Sequence, residues 1–315
     1  MIAFGPVPSR RLGKSLGINN IASRKVCSYS CVYCQIGLTK EQSITRTAFY
    51  HPEVLTEEVS KHLKKLKPND QPDYLTFVTN GEPTLDIHLG EEIRLLKQFG
   101  IPIAVITNSS LINNSGVREE LMEADWVSVK VDSTEELTWR RINQPVESLD
   151  QKDILNGIQE FAKSYKGKLH TETMLVAGIN DDPGQINQTA SFIAPLHPKV
   201  AYFSIPIRPP ADKTVKAPDE EKLVKAWQIY SSYGIQVEML AGFEGIDTGA
   251  TGNPYDDILN ITAVHPLRED ALHELLRKNQ AGIQVLQSLM KQGLILEIDH
   301  NGWKFYIRKL FGSPR

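Results

Sequence analysis

Apolar positions along the chain follow two alternating rhythms. From about residue 53 to residue 240, stretches with apolar residues three or four apart alternate with short runs that are apolar almost throughout. The first spacing is the period of a helix buried on one face, and the second is that of a strand covered on both faces. Helices are predicted at 52–67, 88–99, 117–124, 150–165, 183–193 and 218–233. The first carries Leu55, Val59, Leu63 and Leu66 on one side and stops at Pro68. Strands are predicted at 74–78, 102–107, 126–131, 169–177, 200–205 and 235–240. Such alternation implies an α/β fold, a parallel sheet with helices outside. Six or so units suit a partial or complete barrel better than a small open sheet.

The pattern then changes. Residues 242–254 are rich in Gly and Thr and read as a linker or loop. Short helices are predicted at 256–262, 267–277 and 280–292. Two strands follow at 294–299 and 303–309, joined through His300-Asn301-Gly302, and Asn-Gly is a strong hairpin signal. Three helices and a hairpin are the order of a winged helix. The expected division is therefore a core domain at 1–245 and a small C-terminal winged-helix domain at 255–315. The last helix would expose Gln280, Gln284, Gln287 and Lys291, a poor footprint for phosphates. Nucleic-acid binding, peptide binding and cover for the barrel all remain open for this domain.

No run approaches the ~18 apolar residues of a membrane helix. The N-terminus lacks the apolar core of a secretory signal, so a cytoplasmic protein with no membrane partner is expected. The net charge of −3 excludes a polycation that coats nucleic acid. Residues 1–40 nevertheless carry Arg10, Arg11, Lys14, Arg24, Lys25 and Lys40 and no acidic residue. This end is either a solvated basic arm or a surface that meets anions.

All three cysteines, Cys27, Cys31 and Cys34, lie within eight residues. An odd number in one run makes no disulfide framework. Zinc would need a fourth ligand, and no second pair of cysteines exists. Three thiolates suit a cubane iron–sulfur cluster that leaves one iron open. Cluster, zinc site and structural thiols are the readings that the spacing allows.

The Cys27-x-x-x-Cys31-x-x-Cys34 run, with Tyr33 before its last cysteine, resembles the radical SAM superfamily. Further segments carry the resemblance. Asn80-Gly81-Glu82-Pro83 follows a strand, with Asn80 in place of a usual glycine. Thr107-Asn108-Ser109, Val129-Lys130-Val131-Asp132 and Val176–Asp181 end later strands. Gly5–Gly13 and Arg140–Pro145 resemble a branch of iron–sulfur oxidoreductases similar to the molybdenum-cofactor and tRNA-wybutosine enzymes. The resemblance implies a partial (βα)6 TIM-like barrel over roughly residues 15–240. It also implies a [4Fe–4S] cluster on the three cysteines, S-adenosylmethionine (SAM) as cofactor, and a flavodoxin- or ferredoxin-type electron donor. With no cysteines left for a second cluster, the molybdenum-cofactor activity is not expected.

The resemblance also implies roles. Glu82 would pair with the methionine ammonium, and Gly81 would let backbone approach the ligand. Lys130 would meet the SAM carboxylate, or instead form an ion pair with an acid such as Glu172. Asn108 and Asp132 are candidates for ribose or substrate, or for structural caps. Tyr33 and the backbone of Val176 and Ala177 would lie along adenine. Arg10, Arg11, Arg141 and Asn143 are substrate-side candidates, with Arg10 or Arg11 on an anionic substrate or the SAM carboxylate. The substrate itself, whether small molecule, peptide or nucleic acid, is left open. Rival readings are an iron–sulfur redox sensor that regulates transcription through the winged helix, and a zinc-dependent binding protein.

Overall fold

The computed structural model describes residues 1–22 and 24–309. Residues 310–315 of the expected C-terminal domain lie outside the described residues. The chain opens with a hairpin, β1 (Ala3–Ser9) and β2 (Gly13–Ile18), followed by two short strands, β3 (Val26–Cys27) and β4 (Glu41–Gln42). Then come α1 (Pro52–Lys65), β5 (Tyr74–Phe77), α2 (Leu89–Leu96), β6 (Ile103–Thr107), α3 (Ser115–Leu121) and β7 (Trp126–Lys130). The alternation continues through α4 (Glu136–Asn143), α5 (Gln151–Ser164), β8 (Lys168–Met174), α6 (Pro183–Ile193), β9 (Val200–Ser204), α7 (Glu220–Ser232) and β10 (Val237–Leu240). One curled, mixed sheet of eight strands results, in the order β1-β2-β5-β6-β7-β8-β9-β10. All neighbours are parallel except β1 with β2. This is the partial TIM-like barrel that the alternation predicts, with β2 as an additional parallel strand.

Strand side chains alternate between two environments, as pleating requires. Leu75, Phe77, Val105, Val127 and Val129 point outward and form the main core with Leu55, Ile93, Ile158 and Ile186 of the helices. Thr76, Ile106, Lys130, Glu172 and Ser204 line the lumen. Its floor is closed by Leu12, Trp126, Tyr202 and Leu240. Helix starts follow local chemistry. Asp150, Asp182 and Asp219 each accept backbone N–H bonds at a first turn, which satisfies donors that a helix leaves unpaired.

Three departures from the expected pattern matter for function. First, the basic N-terminal segment is not an arm that precedes the sheet. It is the β1–β2 hairpin, with Arg10 and Arg11 in its turn. Pro6 and Pro8 count against a strand in its interior, but β1 is an edge strand with an irregular register between Phe4 and Val7, where prolines are tolerated. Second, α4 has only two turns around Trp139 and Ile142, too short for a periodic signal. Third, residues 242–253 are not a free linker. Gly249 N donates to Pro6 O at 2.7 Å, so this segment lies along β1 at the open edge of the sheet. A Cβ on Gly249 would fall 2.4 Å from Pro6 Cδ, which explains a glycine there.

The C-terminal unit has α8 (Pro254–Thr262), β11 (Leu267–Arg268), α9 (Glu269–Lys278), α10 (Gln284–Lys291), β12 (Ile295–His300) and β13 (Trp303–Arg308). Its antiparallel sheet runs β11-β13-β12. The expected helices and hairpin are present, with one added strand, and the last helix begins at Gln284 rather than 280. Ile258, Ile261, Leu272 and Leu286 share a core with Phe4 and Val7 of β1. No helix among the described residues is long and apolar enough to cross a membrane.

Candidate active site

Cys27 ends β3, and Cys31 and Cys34 follow in a loop of tight turns. Two pieces of the barrel rim grip this loop through backbone bonds. Val26 N donates to Asn80 O at 3.2 Å, and Glu82 N donates to Val26 O at 3.1 Å. Gly81 stands between them at φ +147°, and a Cβ there would fall 1.7 Å from Val26 O. Only glycine permits that approach. The second grip is α4, where Ser30 N donates to Asn143 O and Val32 N to Ile142 O, both at 3.0 Å.

Each sulfur has its own hydrogen-bond donor. Asn108 Nδ2 is 3.4 Å from Cys27 Sγ, Asn143 Nδ2 is 3.4 Å from Cys31 Sγ, and Lys25 Nζ is 3.1 Å from Cys34 Sγ. Burial, then the charge of Cys31, pushes Cys27 up to about 12. Burial, then Cys34, pushes Cys31 up to about 11. Three donors therefore await negative sulfurs whose neighbours oppose ionisation. A positively charged inorganic group resolves that conflict, because a metal ligand binds as thiolate. Among the described residues, no three His, Cys, Asp or Glu groups are arranged to hold a single metal ion. In a cubane each thiolate serves a different iron, so convergence on one point is not required.

Around the loop Glu82, Asp132 and Lys130 find partners within the protein, whereas Thr79 Oγ1 and Asn80 Oδ1 of the rim turn are buried without one. Glu82 is 1% exposed. Its Oε1 accepts from Thr107 Oγ1 at 2.6 Å and Thr84 Oγ1 at 2.7 Å, and its Oε2 from Asn108 N at 2.7 Å. Burial raises its pKa while these donors lower it, and burial prevails. Asp132 accepts from Tyr33 Oη, from Asn143 Nδ2 at 2.7 Å and from Met174 N at 2.7 Å. Lys130 Nζ lies 2.9 Å from Glu172 Oε1 and 4.9 Å from the centre of the Tyr33 ring. Arg11 bonds the other oxygen of Glu172. Burial opposes the Glu172 charge, but Arg11 and Lys130 outweigh it and hold this carboxyl far below its usual range.

Beside the loop the lumen opens into a cavity of about 320 Å³. Tyr33, Cys34 and Gln35 line one side, and Arg10, Arg208 and Glu244 another. Arg208 donates to Gln35 Oε1 at 2.7 Å, pairs with Glu244, and lies 3.3 Å from His265 Nε2 of the C-terminal unit.

The radical SAM superfamily profile matches residues 23–193, more than half of the chain. The chain belongs to the radical SAM superfamily. Its cofactors are a [4Fe–4S] cluster and SAM. It is 44% identical over 311 residues to the UPF0026 protein MJ1312 of Methanocaldococcus jannaschii, covering 98% of this chain and 96% of that protein. It is 27% identical over 179 residues to a probable GTP 3′,8-cyclase of Pyrococcus abyssi, covering 55% of this chain and 52% of that one. Among solved structures, SuiB of Streptococcus suis bound to S-adenosylmethionine aligns with a TM-score of 0.52 at 10% identity, over 71% of this chain and 49% of that protein. That likeness concerns the fold alone.

The radical SAM motif residues all gather at the barrel mouth, but several meet protein groups rather than open space. Gly81 makes its close approach to the chain's own β3, not toward the cavity. Asn108 faces Cys27 and Ser28, and Asp132 organises Tyr33 and Asn143. Lys130 adopts the ion pair with Glu172. Val176 N is held by Asn180 Oδ1 at 2.8 Å and Ala177 N by Lys216 O at 3.0 Å. Val176 packs with Val32 beneath the loop. Arg141 is exposed and bonds Gly178 O at 3.1 Å, away from the cavity lining. Asn143 sits beside Cys31, and Arg10 and Arg11 both reach the cavity. Sequence reading missed Lys25, Arg208, Glu244 and His265 as site residues and named Thr107 only as part of a strand-end segment. Lys25 was legible in part, being a basic residue two positions before Cys27. Arg208, Glu244 and His265 lie far from the motif segments in sequence.

Proposed function

We propose that Cys27, Cys31 and Cys34 hold one [4Fe–4S] cluster, and that this chain is a radical SAM enzyme acting on a substrate held in the barrel lumen. The observation that carries this reading is the trio of N–H donors on the three cysteine sulfurs, one buried and two half-buried, at the rim of a cavity large enough for a small ligand. Pockets for small molecules start at about 300 Å³. A cluster held by these three cysteines would supply the single electron that reductive cleavage of SAM requires, the chemistry by which a hydrogen atom would be removed from the substrate.

The chain's residues supply position and shelter. Gly81 and the C-terminal end of α4 fix the cysteine loop to the rim. Glu82 holds Thr107 and Asn108, so that Asn108 presents its amide to Cys27. Asp132 does the same for Tyr33 and Asn143. Lys130 and Arg11 place positive charge in the lumen, where the SAM carboxylate can exchange with Glu172 as a partner. The C-terminal unit, in a winged-helix arrangement, covers β1 and closes the open edge of the sheet. A flavodoxin- or ferredoxin-type protein would deliver the electron.

Anaerobic reconstitution tests the reading. About four irons per chain, the content of one cubane, and production of 5′-deoxyadenosine after reduction are expected. A zinc content of one with no sulfide, or a cluster that never cleaves SAM, would overturn it, the latter in favour of a redox sensor.

A further inference from the structure

The lumen carries more positive charge than its own carboxylates neutralise. Arg10, Arg11, Lys130 and Arg208 line the cavity with only Glu172 and Glu244 against them. Arg11 and Lys130 share Glu172, and Arg208 takes Glu244. Arg10 is left over. Its Nε is buried without a hydrogen-bond partner among the described residues. Buried donors are otherwise almost always paired. His265 adds no charge, since burial and Arg208 push it down to about 3.

The excess sits at a particular place. An atom added at Gly242 Cβ would lie 3.9 Å from Arg10 Nη1, and Glu244 follows two residues later. Arg10 thus stands beside the segment that follows β10, next to the β1 edge of the sheet. The rest of the cavity wall is largely apolar, with Val78, Ile106, Met174 and Ile205.

From this we infer that the Arg10–Arg208 side of the cavity binds the carboxylate or phosphate of a small substrate whose apolar body packs against Val78, Ile106, Met174 and Ile205. The inference rests on the proposed function for the identity of the site, and it names the substrate class. An anion between Arg10 and Arg208 would give Arg10 the partner it lacks. Guanidinium groups suit such anions because they donate in a planar fork. The same chemistry is offered by the SAM carboxylate, so the test must separate the two sources.

The test is calorimetric titration of the full chain with inorganic phosphate and with propionate, at constant ionic strength set by chloride. It is run before and after cluster reconstitution, with and without saturating SAM. Saturable binding of at least one probe is expected, unchanged by SAM. It should weaken at least tenfold in Arg10→Gln and less in Arg10→Lys. Equal binding by wild type and Arg10→Gln overturns the inference, as does binding that SAM abolishes. If the variants do not fold, the wild-type titration decides: no binding of either probe beyond the chloride background overturns it. Cluster content is read in the same samples. A chain that binds the anion but assembles no cluster refutes the proposed function and leaves the anion site standing. A chain that cleaves SAM but ignores both probes does the reverse.

Discussion

Two walls of the lumen are built on opposite principles. At the cysteine loop nearly every polar side chain has a partner within the protein. Glu82, Asp132, Asn108 and Asn143 form closed networks, and each sulfur has one donor. On the other wall, Arg10 Nε has no hydrogen-bond partner, and cations outnumber carboxylates. A site for a permanent cofactor gains from being rigid before the cofactor arrives, since preorganised groups need no rearrangement during the reaction. A site for a passing substrate gains from leaving part of its bonding capacity open.

The strongest way to break this contrast is to remove a sulfur. Cys31→Ala is expected to lose nearly all cluster iron and the sulfur-to-iron absorbance while the fold persists, checked by metal analysis and circular dichroism. An intact cluster in that variant would mean that the loop is not the cofactor site. Truncation after Gly252 comes next. It strips Ile258 and Ile261 from Phe4 and Val7, and each fully buried aliphatic side chain contributes about 1.5–3 kcal/mol. The shortened chain is expected to be largely insoluble; a soluble truncation with a normal cluster would mean that the C-terminal unit serves recognition and not cover.

Glu82→Ala would leave four donors in the rim network without their shared acceptor. Unpaired buried groups cost about 1–3 kcal/mol each. The variant should melt lower and bind SAM roughly ten- to a hundredfold more weakly, with Glu82→Gln intermediate. SAM affinity and melting temperature both unchanged would place Glu82 outside this network. Behind the same turn lies a further exception to the paired rim. Glu92 is fully buried, with Oε1 unpartnered and Oε2 held by Asn20 at 3.1 Å. Burial, then Asp86, pushes it up to about 9. The folded chain therefore keeps a proton that the unfolded chain releases above its ordinary pKa. Stability from this group is present below about pH 4.5 and is lost as pH rises toward about 9, by up to ~1.4 kcal/mol per pH unit. Glu92→Gln should flatten the decline of melting temperature between pH 6 and 8. An unaltered slope would refute the assignment. Smallest of all is Lys25→Met. Removing a cation beside Cys34 should make the cluster harder to reduce while leaving its iron content intact, as read by a spectroelectrochemical titration.

Much of the barrel was legible because helices with one apolar face and strands with two announce themselves locally. Helix α6 was expected at 183–193 and is found there, helped by Asp182 and Pro183 at its start. The hairpin was not legible, since its prolines argue against a strand and only the edge position excuses them. The cysteine loop and the rim segments come together at the barrel mouth. Their individual partners were not legible, because a carboxylate at a strand end looks the same in sequence whether it awaits a ligand or accepts Thr107 and Asn108.

Taken alone, the sequence determined the βα alternation, the three-cysteine motif, the positive N-terminal segment and the separate pattern after residue 254. Those properties depend on residue type and spacing along the chain. The tertiary structure decided which charges meet. It set Lys130 and Arg11 on one glutamate, brought Arg208 from the end of β9 to Gln35 and His265, and left Arg10 without a partner. Ion pairing falls off with distance in space and is indifferent to separation in sequence, so the charge balance of the lumen exists only once the sheet has curled.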